Sequence, residues 1–309
     1  MTTLLYSHSA CSDHDPGAYH PENPGRLAAI ESALEGPAFA ELVRREAPRA
    51  SLEQIGRVHP GDFAEQILAA VPAQGHAAID GDTVMSPGSG EAALRAAGAV
   101  VAAVDAVARG EADNAFCAVR PPGHHAEPVR AMGFCLFNSV AVGALQAREV
   151  HGLERVAVFD FDVHHGNGTQ AAFWHDRDLF YASTHQYPLY PGTGSASERG
   201  VSGNVLNRPL PPGAGSDMFR DAVTETILPG LRTFAPDLLI ISAGFDAHED
   251  DPLAGLAFTD EDYAWVTDQL TALAADCCDG RLVSALEGGY DHAALGRSVA
   301  AHVKALMAA

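Results

Sequence analysis

The chain has 309 residues, of which 47% are hydrophobic and 19% charged, with a formal net charge of −21. That is ample apolar material for a sizeable core, and no stretch nears the roughly 20 uncharged apolar residues that span a bilayer. A nucleic-acid binder would show a basic stripe, which this acidic chain lacks; such a surface suits cationic partners or solubility alone.

The start, Met1-Thr2-Thr3-Leu4-Leu5-Tyr6, has neither the basic opening nor the long apolar run of a secretory signal, so a cytoplasmic protein is expected. Short β-rich runs cover residues 4–6, 115–119, 156–161, 179–183, 238–242 and 282–286. Several are almost wholly apolar, as strands buried on both faces of a parallel sheet are. Between them the pattern predicts helices over 91–109, 138–149, 217–232, 260–275 and 293–308, the last two capped by Thr259 and Asp291. The alternation predicts one α/β domain over residues 1–309, with a mostly parallel central sheet flanked by helices. The five cysteines are odd in number and include no C-x-x-C pair, which suggests neither a disulfide frame nor a thiolate metal site.

Proline and glycine gather where strands end, at Arg120-Pro121-Pro122-Gly123, Pro191-Gly192-Thr193-Gly194 and Gly288-Gly289. Parallel sheets bind ligands at the carboxyl ends of their strands, so the chemistry is sought there. Asp160-Phe161-Asp162-Val163-His164 puts two acids and a histidine at such an end, where unpaired charge would be costly. Their alternation predicts that Asp160, Asp162 and His164 project to one side of an extended chain. A second apolar run delivers Asp246. Two aspartates and one histidine leave a zinc ion with open positions, the catalytic arrangement. Any one of these residues alone would read as a cap or salt bridge. The tandem His124-His125 after a rigid turn can take a proton from attacking water and return it to a leaving amine. Tyr290, after two glycines, can donate its phenol to an oxyanion.

These motifs resemble the histone deacetylase and acetylpolyamine amidohydrolase family, on the arginase–deacetylase fold. The likeness runs from His20-Pro21-Glu22-Asn23-Pro24-Gly25-Arg26 through Arg120–His125, Gly133–Asn138, Asp160–Gln170 and Ser242–Asp246 to Glu287–Tyr290, with the class II branch the nearer. It implies that Asp162, His164 and Asp246 bind zinc, that His125 is general base and then acid, and that His124, oriented by Asp160, is an electrostatic partner. It implies that Tyr290 stabilises the oxyanion and that Phe134 and Tyr190 wall a tunnel in which the Gly133 carbonyl faces the substrate amide. Leu253, in Asp251-Pro252-Leu253-Ala254-Gly255, sits by the same likeness at the pocket mouth. A structural potassium is implied near Asp160, Asp162, His164, Ser183 and Thr184. Asn167 stands where class I members carry aspartate, and an amide raises the basicity of His125 less than a carboxylate would.

The expected reaction is metal-assisted deacetylation of an acylated amine, with acetyl-lysine favoured over an acetylpolyamine; a non-catalytic acyl-lysine binder is the rival of another class. Asp80, Asp82 and Glu249 are rim candidates for holding a distal ammonium. Asp246-Ala247-His248-Glu249-Asp250 echoes a two-manganese ureohydrolase, but bridging acids are missing after His164. His248 and Asp250 are therefore expected as loop residues at the rim.

Overall fold

The computed structural model describes residues 2–309. Its strands are β1 (Thr3–Ser7), β2 (Val43–Glu46), the short pair β3 (Ala77–Ala78) and β4 (Val84–Met85), β5 (Asn114–Cys117), β6 (Val156–Asp160), β7 (Leu179–Gln186), β8 (Val205–Leu210), β9 (Leu238–Ala243) and β10 (Leu282–Leu286). Eight of them form one sheet in the order β2-β1-β5-β10-β9-β6-β7-β8. Every neighbouring pair in it is parallel. Helices cover both faces of such a sheet, so the inner strands are buried on both sides: β5, β6, β9 and β10 are buried at every residue.

The expected strands are all present within two or three residues. Besides the short β3–β4 pair, the two strands the sequence hides are the edges of the large sheet. β2 is Val-Arg-Arg-Glu and exposed throughout, and β8 carries Arg208 and Pro209 with mixed burial. Edge strands take charge and proline because one side of their backbone is unpaired. Among the helices, Asn138 caps Ser139–His151 through its side chain, Thr259 forms a capping box with Asp262, and Asp291 caps His292–Ala308. The helix expected over 217–232 is split: Ser216–Ala222 and Leu228–Phe234 flank a π-turn at Val223–Ile227. Pro229 has no N–H to give the preceding turn, and the wider turn accommodates it.

The main core fills the space between sheet and helices. A smaller cluster of Ile55, Ile67, Met85, Leu136 and Phe137 lies beneath the segments around residues 80 and 134. The loops after β5, β6, β7, β9 and β10 all leave the same edge of the sheet, and they build the site.

Candidate active site

β6 stops at Asp160, and the chain then bends rather than staying extended. Each acid accepts the backbone N–H two residues on: Asp160 Oδ1 from Asp162 (3.1 Å) and Asp162 Oδ1 from His164 (2.9 Å). The chain is therefore not extended over this stretch, as the alternation supposed; Asp160 gives its other oxygen to His124 and stands outside the group that Asp162 and His164 form with Asp246. His164 Nδ1 lies 3.2 Å from Asp162 Oδ1 and 3.1 Å from Asp246 Oδ2. The donor atoms of Asp162, His164 and Asp246 all lie within 4.8 Å of one another. Backbone donors hold the acids: Gly288 N–H reaches Asp162 Oδ2 (2.8 Å) and Val163 N–H reaches Asp246 Oδ1 (2.9 Å). Burial and the neighbouring Asp162 push Asp246 up to about 7. Burial opposes charge on His164, yet its bonds to Asp162 and Asp246 hold it up at about 10. The group thus gathers positive charge into a buried place, and one carboxylate oxygen from each acid with one imidazole nitrogen is the donor set that zinc takes.

Behind it, the rings of His124 and His125 pack at a tilt of 44°, with centroids 4.0 Å apart. His124 Nδ1 donates to Asp160 Oδ2 (2.9 Å), an oxygen that also receives the Tyr181 hydroxyl (3.1 Å). Burial works against a charge on His124, but the Asp162 and Asp160 carboxylates prevail and raise it well above the ordinary range. His125 Nδ1 lies 2.8 Å from Asn167 Oδ1. The Asn167 amide nitrogen donates to Glu127 Oε1 (2.7 Å), which points its oxygen at the ring; Nδ1 therefore carries the proton and Nε2 keeps its lone pair. Burial, then the charges on His124 and His164, hold His125 well below the usual range, so it is neutral.

A cavity of about 240 Å³ opens onto these groups, lined by Asp82, His125, Gly133, Phe134, His164, Leu189, Tyr190, Leu253 and Tyr290. Every residue expected in the tunnel is there. Gly133 (φ 57°) and Phe134 (φ 68°) are both left-handed, and a side chain on Gly133 would strike the His125 ring. The Phe134 N–H is held by Thr83 Oγ1 (3.2 Å), and its ring meets Tyr290 edge-on at 5.9 Å. Tyr190 packs edge-on against His125 at 5.1 Å. Burial, then Asp246, raises the Tyr290 phenol well above its ordinary range, so it stays a proton donor.

Of the rim candidates, only Asp82 reaches the cavity. Glu249 is exposed outside it, and Asp80 is spent on the N–H groups of Asp82 and Thr83. His248 is not at the rim: it is buried and lies 3.3 Å from Asp260 Oδ1, while Asp250 bonds Arg297. The loop after Asp246 turns inward at His248, and Asp250 braces a helix through Arg297 instead of facing the cavity. Near Asp160, Ser183 Oγ meets His185 Nδ1 (2.8 Å), and Thr184 Oγ1 is buried without a partner among the described residues.

Several supporting groups stand in the matched motifs but were given no role from sequence. Glu287, fully buried, accepts the N–H of Gly123 (2.6 Å) and of His124 (3.1 Å) and the Ser242 hydroxyl (2.8 Å). It thereby seats the tandem histidines. Arg120 and Arg26 converge on the buried Glu22, and Arg120 also holds the Cys11 carbonyl (2.8 Å). Glu22 and Arg26 stand four residues apart in one motif, but Arg120 lies 98 residues from Glu22, and that separation conceals the group.

The histone deacetylase domain model matches residues 20–306. The chain is 40% identical over 330 residues to histone deacetylase 14, chloroplastic, of Arabidopsis thaliana, covering 98% of this chain and 76% of that one. It is 42% identical over 281 residues to the histone deacetylase-like amidohydrolase of Pseudomonas aeruginosa, covering 89% and 74%. The crystal structure of the HDA15 HD domain superposes with a TM-score of 0.93 at 33% identity, over 99% of this chain and 88% of that one. With so much of its length and its whole sheet shared, this chain belongs to the histone deacetylase family and is a deacetylase-type amidohydrolase.

Proposed function

We propose that the enzyme deacetylates acetyl-lysine side chains, with zinc held by Asp162, His164 and Asp246. The carrying observation is a cavity of about 240 Å³ that reaches His164 of the metal group and is lined by the aromatic Phe134 and Tyr190 and the apolar Leu253. Zinc, when bound, would supply Lewis acidity to the attacking water and the amide carbonyl. Phe134 and Tyr190 clasp the alkyl stem, and the Gly133 carbonyl accepts the substrate amide N–H. His125 takes the water's proton on Nε2 and returns it to the leaving amine, with Asn167 keeping Nδ1 protonated. His124, charged against Asp160, supplies fixed positive potential. Tyr290 donates to the oxyanion, an interaction that strengthens as charge develops. The oxygens of Asp160, Asp162, His164, Ser183 and Thr184 suit a structural potassium, and the partnerless Thr184 hydroxyl supports that reading.

Residues 1–309 are taken as one deacetylase domain, supported by the single large sheet and the span of the family match. Cytoplasmic placement is supported by five free cysteines; among the described residues no helix is long and apolar enough to cross a membrane.

Asp82 favours a second reading, an acetylpolyamine, because its carboxylate at the mouth would attract a distal ammonium. Leu253 argues the other way: it offers that ammonium no partner and penalises its desolvation. The test compares kcat/KM for acetyl-lysine peptides and acetylspermidine in wild type, Leu253→Glu and Asp82→Asn. Peptide preference, shifted toward the polyamine by Leu253→Glu, is expected. Strong polyamine preference that collapses in Asp82→Asn would establish the second reading.

A further inference from the structure

The phenol of Tyr290 follows two glycines, and Gly288 passes so close to the metal group that a side chain there would fall 2.2 Å from Asp246 Oδ2 and 2.6 Å from Asp162 Oδ2. Backbone of this kind has no side chain of its own to fix it, while an oxyanion donor works only if held in place beforehand. Gly288 itself is tied to Asp162 and to the Phe245 N–H, and two further groups hold Gly289 and Tyr290. Arg26 Nε donates to the Gly289 carbonyl (2.6 Å), and its guanidinium lies 4.9 Å from the Tyr290 ring centre. On the other side, Asp251 Oδ2 accepts the Tyr290 N–H (2.8 Å).

The second oxygen of Asp251 is also engaged: Oδ1 accepts the N–H of Leu253 (3.0 Å). Asp251 is 7% exposed, and its own N–H is tied to the His248 carbonyl (3.0 Å). The outer part of that loop is braced by His248 on Asp260 and by Arg297 on Asp250. One buried carboxylate therefore spans the pocket mouth and the backbone of the oxyanion donor, anchored from behind.

We infer that Asp251 is a positioning residue, which sets the Tyr290 phenol and the Leu253 mouth in one register. This rests on the deacetylase reading and adds to it a group that touches neither substrate nor metal. Asp251→Asn keeps the shape but turns an NH2 toward one of the two N–H donors, so one bond is lost.

The experiment measures kcat, KM, zinc content and amide hydrogen exchange in Asp251→Asn and Asp251→Ala, alone and with Tyr290→Phe. A phenol displaced by about 1 Å costs up to roughly 10² in rate. We expect kcat down about tenfold in Asp251→Asn and further in Asp251→Ala, with zinc retained and KM moved about twofold at most. In the Tyr290→Phe background the further loss should shrink below about twofold, because coupled residues are not additive. Exchange should quicken over residues 286–291 and stay unchanged over 120–126. A folded, zinc-loaded Asp251→Asn with wild-type kcat overturns the inference. So do losses that multiply with Tyr290→Phe, or a fall in kcat that tracks lost zinc. Should Asp251→Ala not fold, Asp251→Asn still decides. If wild type hydrolyses no acetylated amine, the deacetylase reading fails instead, and the exchange result still tests the clamp.

Discussion

Adding one methyl group at Gly133 separates packing against the proposed base from backbone strain. A Cβ there would lie 2.5 Å from His125 Cδ2 and 2.8 Å from Cγ. The ring or the loop must then retreat by about an ångström to reach ordinary contact. His125 has little room to do so, with the His124 ring centre 4.0 Å away and Asn167 holding Nδ1 at 2.8 Å. The left-handed backbone at Gly133 adds about 1–2 kcal/mol for any L side chain. Gly152 makes the control: its φ is 67° at a helix end, yet a Cβ there meets nothing within 4 Å. Urea unfolding should show Gly133→Ala and Gly152→Ala each losing at least about 1 kcal/mol. In steady-state hydrolysis only Gly133→Ala should lose kcat, by on the order of 10². Equal kcat in the two folded variants would refute the claim that His125 is held to ångström tolerance by this contact.

Removing a metal ligand, Asp246→Asn, should lower zinc content by elemental analysis, and chelation should abolish wild-type activity that added zinc restores; full occupancy in the variant removes Asp246 from the site. Tyr290→Phe should cost about 10²–10³ in kcat with a smaller change in KM, as expected for one oxyanion donor; an unchanged kcat would take the phenol out of the reaction. Acid should expose His59, which donates from Nδ1 to the Pro128 carbonyl (3.1 Å) and accepts the Asn138 N–H on Nε2 (2.9 Å). Burial lowers it from 6.5 to about 4. The unfolded chain therefore takes up a proton that the folded one refuses, so this contribution is whole above 6.5 and is lost as pH falls toward 4, at up to about 1.4 kcal/mol per unit. His59→Gln should unfold with a shallower pH dependence over that window, and identical slopes in denaturant titrations would count against the assignment.

The inner strands were legible because burial on both faces writes a continuous apolar run, as in Leu282–Leu286. The metal group was legible because its ligands crowd two strand ends. What stayed hidden is long-range or local-geometric. β2 and β8 look like loops because edge strands carry charge and proline. Asp160 could be read beside Asp162, but the bend between them could not, because it comes from side-chain bonds to backbone two residues ahead. Glu287 and Asp251 act by accepting backbone N–H groups, and no residue pattern marks a backbone donor. His248 reads as a rim residue once the D-A-H-x-D likeness to another metal motif fails, whereas burial against Asp260 decides its place.

The tandem histidines show how far partners outweigh the residue itself. His124 and His125 are chemically identical and adjacent, with ring centres 4.0 Å apart, and two charged rings at that distance would repel strongly in a buried place. The fold resolves this by giving His124 the carboxylate of Asp160 and His125 the amide of Asn167. A carboxylate stabilises the charged ring strongly, whereas an amide oxygen fixes the tautomer and favours the charge far less. His124 is thereby driven up and His125 down, each charge state enforcing the other. The ring left neutral has its Nε2 free, and it is the one that lines the cavity. An aspartate at position 167 would weaken that division, since both rings would then face a carboxylate and the proposed base would hold its proton to higher pH.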